Sequence, residues 1–304
     1  MQIYLPIANM SVNVFVIILL GGGVGMLSGL FGVGGGFLTT PLLIFFGIPP
    51  AVAAASAATQ VAGSSVSGVL AHWERDGVDV KMGAILASGG VMGSIAGAGI
   101  FNILQGIGQI DTAISILYVL LLGSIGGLMA RDSWRHYQRS RNDDNPPQRE
   151  RHHHPVVARL PFRMRFYRSG VYLSPIAPLV LGFATGILTV LLGVGGGFIM
   201  IPAMIYLLGI AARVVVGTSL LQILVVTAFT TMVHAVTTQS VDIVLAGLLL
   251  LGGVFGAQVG TRLGAKASPE SLRIILAAIV LAVALRMLIG LSFRPDEIYT
   301  LSGA

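Results

Sequence analysis

Two identical hexapeptides carry the strongest chemical signal in the chain. Gly32-Val33-Gly34-Gly35-Gly36-Phe37 recurs as Gly193-Val194-Gly195-Gly196-Gly197-Phe198, and Pro41 and Pro202 follow at the same spacing. Each glycine costs a helix about 1 kcal/mol relative to alanine, and the proline removes one more helical hydrogen bond. Both stretches therefore read as open backbone at the start of a short helix. Amides at such a start carry a partial positive charge, and with no Cβ in the way an anion can approach them closely. Gly34, Gly35, Gly36 and Phe37, with Gly195, Gly196, Gly197 and Phe198, are thus candidates for a site that holds a small anion without lysine or arginine. The competing reading is close helix packing through glycine. A dinucleotide-binding reading is weak, because no βαβ unit surrounds either copy.

A second polar group lies one segment further on. Ser56, Gln60, Ser64 and Ser67 share one helical face, and Thr218, Ser219 and Gln222 stand at the matching place in the second copy. A lone hydroxyl in such a helix usually bonds to a carbonyl one turn back. A glutamine has two donors and an acceptor to satisfy, so Gln60 and Gln222 point either to an interhelical bond or to a ligand. Ser56, Gln60, Thr218, Ser219 and Gln222 complete the candidate substrate site. His72 and His234 end the same helices and are candidates for a proton relay, against the plainer reading that each meets water at the membrane surface. Asp79 and Asp242 precede the next apolar runs and read as N-caps. Ser268, ahead of Pro269, reads the same way. No nucleophile–base pair, carboxylate pair or metal cluster can be assembled, so no enzyme activity, metal or cofactor is expected. The chain has no cysteine, which removes thiol chemistry and sulfur-ligated metals.

The elements that must position these residues are written twice. Apolar segments run at about 12–31, 37–48, 51–72, 80–104 and 111–130, and again at about 175–192, 198–209, 211–236, 242–265 and 270–291. The glycine blocks match at an offset of 161; Gln60 with Gln222 and His72 with His234 match at 162; Asp79 with Asp242 matches at 163. Duplicated apolar segments interrupted by glycine are a mark of secondary transporters. Composition agrees: 55% of the 304 residues are hydrophobic and only 10% charged, against roughly 25% charged in a soluble domain. The expected fold is an all-α polytopic membrane protein of two inverted-topology repeats. Residues 1–131 and 171–304 are the repeats and 132–170 a linker. The runs at 37–48 and 198–209 are too short to cross a bilayer and read as half-helices or hairpin arms.

Charge gives the orientation. The net charge is +6. From Arg131 to Arg168 there are ten arginines and four acids, and elsewhere eight basic and eight acidic residues cancel. The basic pI therefore reflects one cytoplasmic loop rather than nucleic-acid binding. The linker centre, with His152, His153 and His154, reads as a solvated tail. Its end, Arg159 to Arg168, interleaves arginine with apolar and aromatic residues and reads as lying on the anionic lipids of the inner leaflet. An odd number of crossings per repeat keeps Arg75, Lys81, Arg213, Arg262, Lys266 and Arg273 on the inner side. That inverts the second repeat relative to the first and leaves both termini outside. No Lys or Arg precedes Arg75, so a cleavable signal peptide is not expected.

The twice-given pattern GVGGGF…P…G(I/L)…TS…Q…H…VD, around a basic middle loop, resembles the TauE/SafE family of sulfite-exporter-like permeases. The resemblance covers about residues 14–130 and 175–291. The Gly-Thr-Ser element of the family stands at Gly217-Thr218-Ser219, whereas the first repeat has Ala55-Ser56-Ala57. The resemblance implies a secondary permease of the cell (inner) membrane for sulfite, sulfonates or related organosulfur anions. Residue patterning by itself reaches a duplicated transporter with an anion site, and an anion channel or a carrier of another small solute remains the alternative. The expected partners are the small anion and the lipids under the basic linker, and no nucleic acid; a homo-oligomer is compatible with this reading. On this view Gly35→Ala or Gly196→Ala weakens substrate binding while stability stays nearly unchanged.

Overall fold

The computed structural model describes residues 2–31, 36–74, 76–140, 161, 164–210, 212–264 and 269–292. Gly34, Gly35, the linker centre and Ser268 lie outside them. In lipid a spanning segment must satisfy its own backbone, and the apolar runs are accordingly helices. The first half holds a short hairpin, β1 (Gln2–Leu5) and β2 (Met10–Asn13). After it come α1 (Val14–Phe31), α2 (Gly36–Phe45), α3 (Pro50–Trp73), α4 (Val80–Gly106) and α5 (Ile110–Ser140). The second half repeats that order, with β3 (Met164–Phe166) and β4 (Val171–Leu173) as its hairpin. Then follow α6 (Ile176–Leu192), α7 (Gly197–Tyr206), α8 (Ala212–Val233), α9 (Ile243–Gly264) and α10 (Pro269–Ser292). A π-helical turn, His234–Thr238, prolongs α8.

Among the described residues five stretches are long and apolar enough to cross a membrane: Val80–Gly106, Ile110–Arg131, Val214–Thr238, Ile243–Gly260 and Ile274–Ser292. Many large apolar side chains turn outward, with Leu19 78% and Ile243 82% exposed, as befits a surface whose solvent is lipid. The chain is thus a multi-pass membrane protein, all-α apart from the two hairpins. At 10 residues each, α2 and α7 are too short to cross.

The hairpins lie outside what the hydropathy pattern signalled. β3 takes up the end of the basic stretch. Phe166 is fully buried there, with the Lys81 ammonium 5.9 Å from its ring centroid, while Tyr167 stays 81% exposed. Meanwhile α5 continues to Ser140, beyond the expected end of the repeat at residue 131.

Packing between the halves follows one pattern twice. α1 lies against α9, and its counterpart α6 lies against α4. Both pairs run parallel and meet through glycine. On one seam Gly252, Gly256 and Gly260 face the backbone of Ile18, Gly22 and Met26. On the other Gly89, Gly93 and Gly97 face the backbone of Leu179, Phe183 and Ile187. A Cβ on any of these glycines but Gly97 would enter the neighbouring backbone, and on Gly97 it would press on it at 3.1 Å, which is the geometry that small-residue helix seams in membranes require. The equivalent helices α3 and α8 pack on each other at the centre and run antiparallel: Thr59 meets Thr231 at 3.3 Å and Gly68 meets Leu220.

Alanine at a seam glycine forces the helices apart, and overpacking of this kind costs about 1–3 kcal/mol. Gly93→Ala and Gly256→Ala therefore lower the thermal midpoint of the purified protein. Gly99→Ala, where nothing lies within 4 Å of the added Cβ, leaves it unchanged or raises it. Equal midpoints for all three variants would contradict the seam assignment.

Candidate functional site

The second glycine block is a sharp turn between α6 and α7. Gly193 ends α6 in the left-handed conformation, at φ 69°, with its amide on the Thr189 carbonyl at 2.8 Å. Gly195 and Gly196 also have positive φ, 72° and 76°, so three residues of the turn need glycine. The whole block from Gly193 to Phe198 is buried. Its carbonyl side is closed. The Leu192 carbonyl accepts from Thr40 Oγ1 at 3.1 Å and from the Tyr118 hydroxyl. The Val190 carbonyl lies 3.0 Å from His234 Nε2, so that nitrogen carries the hydrogen. The amide side is open. No side chain caps α7, and among the described residues no acceptor takes the amides of Val194, Gly195, Gly196, Gly197 or Phe198.

The first repeat closes on this turn from the other side. A Cβ on Gly36 would sit 2.6 Å from the Gly193 carbonyl oxygen and 2.7 Å from Val61. Next in sequence, Phe37 stacks on Phe198 with ring centroids 4.6 Å apart and planes 4° from parallel. The two helix starts, α2 and α7, therefore meet tip to tip.

Gln60 and Gln222 flank the tips and are not equivalent. Gln60 Oε1 accepts from Thr39 Oγ1 at 2.9 Å. Gln222 Nε2 reaches Thr185 Oγ1 at a long 3.5 Å, and Gln222 Oε1, fully buried, has no hydrogen-bond partner among the described residues. Thr185 also packs on Gly196, which ties Gln222 to the turn.

The hydroxyls divide differently from expectation. Ser56 Oγ accepts from the Asp242 amide at 3.3 Å, and Thr218 Oγ1 from the Asp79 amide at 3.0 Å. Both therefore join the third helix of one repeat to the fourth helix of the other. Ser219 Oγ donates back to the Val216 carbonyl at 2.9 Å. Asp79 and Asp242 are N-caps, accepting from Met82 and Leu245 amides respectively at 3.1 Å. They do more: Asp79 Oδ2 accepts from the Ser169 amide in the β3–β4 turn, and Asp242 Oδ2 from the Ile7 amide in the β1–β2 turn. His234 is fully buried; its Nδ1 lies 3.1 Å from Thr238 Oγ1, and its ring sits edge-on to Phe101. It does not meet water, as a histidine at the membrane surface would. His72 is half-buried and also bonded.

The structure thus brings together Gly36, Phe37, Gly195, Gly196, Gly197 and Phe198, with Gln60 and Gln222 beside them through Thr39 and Thr185. Thr39, Thr40, Thr185 and Tyr118 were missed in the sequence. Thr39 and Thr40 stand directly between the first GVGGGF and Pro41, and that adjacency could have singled them out. Thr185 and Tyr118 carry no local signal. Among the described residues no group of His, Asp and Glu could hold a metal ion.

The family model described as Sulfite exporter TauE/SafE matches residues 17–287, from α1 to within two turns of the end of α10. The chain belongs to the TauE/SafE family. YjnA of Bacillus subtilis, a probable membrane transporter protein, is 30% identical over 275 residues, which are 90% of this chain and 98% of that one. A probable membrane transporter protein of Xylella fastidiosa is 29% identical over 87% of this chain and 91% of its own. A third, from Methanocaldococcus jannaschii, is 26% identical over 90% of this chain and 94% of its own. No solved structure matches. As a TauE/SafE protein the chain is a membrane permease and not an enzyme.

One expectation for this TauE/SafE chain needs correcting. Gly196 has a positive φ and its Cβ position lies 3.0 Å from Thr185 Cβ, so Gly196→Ala strains the fold. An L-residue in that conformation costs about 1–2 kcal/mol, and a fall in the thermal midpoint accompanies any loss of binding. Asp79→Ala and Asp242→Ala each remove a cap and a hairpin anchor. Each should cost about 2–4 kcal/mol and shift the melting curve far more than Ser219→Ala. Melting curves like that of Ser219→Ala would show that the aspartates are dispensable.

Proposed function

We propose that this permease carries small oxyanions of sulfur, such as sulfite, sulfonates or related organosulfur anions, by alternating access. The observation that carries the reading is the run of open amides from Val194 to Phe198, buried in a membrane protein. Such a run offers several donors and the positive end of α7 to one anion, with no full charge that would hold it too tightly for release. The bound anion sits near mid-membrane between the two glycine turns. It is held by backbone amides of Gly34, Gly35, Gly36, Phe37, Gly195, Gly196, Gly197 and Phe198, with Gln60 and Gln222 alongside.

The two halves act as inverted repeats. The antiparallel contact of the equivalent helices α3 and α8 supports this, as does the positive-inside count. The termini then lie outside, the basic linker lies in the cytoplasm against anionic lipid, and the protein sits in the cell membrane. The glycine seams, where backbone meets backbone, are the surfaces along which one pair of helices can shift against another.

Reconstituted protein given labelled sulfite, thiosulfate, taurine, sulfoacetate and acetate should show saturable uptake of one or more of the sulfur anions and little of acetate. Uptake restricted to acetate, or to cations, would refute the substrate class. Topology is tested on the natural cysteine-free background. Asn9 and Tyr167 occupy the equivalent exposed hairpin turns. Asn9→Cys should react with an impermeant reagent from outside and Tyr167→Cys only from the cytoplasm. Reaction of both from the same side rules out inversion.

A further inference from the structure

The two glutamines beside the glycine turns differ in a way that bears on the ligand. Gln60 and Gln222 are equivalents in the duplication, and both are buried. In the first repeat the amide oxygen is satisfied inside the protein, since Thr39 Oγ1 donates to Gln60 Oε1 at 2.9 Å. The residue equivalent to Thr39 in the second repeat is Met200, which has no hydrogen to give. Gln222 Oε1 is consequently the one buried side-chain oxygen or nitrogen without a partner among the described residues.

The amide cannot be turned round to repair this. The single hydrogen of Thr185 Oγ1 goes to the Gly182 carbonyl at 2.9 Å, so Thr185 presents only lone pairs to Gln222 and must face its NH2 group. Two other residues at this place give no donor side chain: Val226 is apolar, and Gly90, which packs on Gln222 Nε2, has no side chain. An unpaired buried acceptor costs about 1–3 kcal/mol, and this one lies beside the row of open amides through Thr185 and Gly196.

We infer that Gln222 Oε1 is the acceptor for a hydrogen carried by the substrate, so that the transported species is an anion with both a negatively charged oxygen face and one donor hydrogen. This rests on the oxyanion reading above and sharpens it. The open amides of Val194 to Phe198 are donors and take the anionic face; the lone acceptor takes the hydrogen. A bound cation such as sodium could also satisfy an amide oxygen, but the same amides and the positive end of α7 oppose it. Of the carbonyls at the turn, Val190 and Leu192 already accept from His234, Thr40 and Tyr118.

The test uses sulfite and methanesulfonate as probes. Sulfite gains one hydrogen on the acid side of its second ionisation, near neutral pH; methanesulfonate has the same charge as that form but no donor. Binding is measured by calorimetry on the purified protein in detergent, with and without sodium, on both sides of that ionisation. The wild type should bind the hydrogen-bearing form about tenfold more tightly than methanesulfonate, which is about one hydrogen bond, and independently of sodium. Met200→Thr, which places a donor where the first repeat has one, should bring the two affinities level. Gln222→Leu should do the same by removing the acceptor, and it decides the matter if Met200→Thr does not fold. Equal wild-type affinities, a preference that survives in the folded variants, or a strict requirement for sodium would overturn the inference while leaving the oxyanion reading in place. Failure of the wild type to bind either probe would instead overturn the oxyanion reading.

Discussion

Inside a bilayer a backbone amide finds an acceptor in protein or finds none. The fold is organised around one place where that requirement is left open. Five successive amides, from Val194 to Phe198, are buried and unmatched among the described residues. The carbonyls just before that turn are closed instead. Thr40, Tyr118 and His234 accordingly hold the carbonyls of Leu192 and Val190, and left-handed glycines at 193, 195 and 196 absorb the bend. Tip-to-tip packing of Phe37 on Phe198 then seals the turn from the first repeat.

The bonds that join the two halves are of two kinds, and they suit different jobs. At the starts of α4 and α9 they are directional: Asp79 and Asp242 each bind their own helix start, a hairpin turn and a hydroxyl of the other repeat. Those bonds fix position. Along the parallel seams of α1 with α9 and α4 with α6 the contact is glycine against backbone. There dispersion forces between closely approached backbones hold the helices together. Fixed ends with glycine seams between them are what a rocking motion of one helix pair against another needs.

Much of this was legible in the residues. The duplication, the short helices after each glycine block, the aspartate caps and the membrane class all follow from local pattern, because each depends on neighbours within a turn or two. What was not legible depends on residues far apart in the chain. Ser56 and Thr218 looked like ligand-binding hydroxyls on an amphipathic face, yet their partners lie 186 and 139 residues away. His234 ends its helix in sequence, but a π turn and Phe101 bury it. The hairpins are only three or four residues per strand, too short for an alternation to register. Thr185 is marked by no motif; it matters because α6 lies beside both Gly196 and Gln222.

Duplication also shows where the halves have stopped being interchangeable. The bonds that hold the repeats together are kept in both copies, with serine in one and threonine in the other doing the same work at positions 56 and 218. The glycine seams are kept as well. Symmetry breaks at the tips, where Thr39 in one repeat stands against Met200 in the other and one glutamine oxygen is satisfied while its counterpart is not. A two-fold site would present the same groups to a ligand from either direction, so a small anion would have two equal poses and no preferred one. Removing a single hydroxyl from one side makes the poses unequal without disturbing the framework. It leaves the acceptor beside the turn at the start of α7, where the proposed anionic end would meet the open amides.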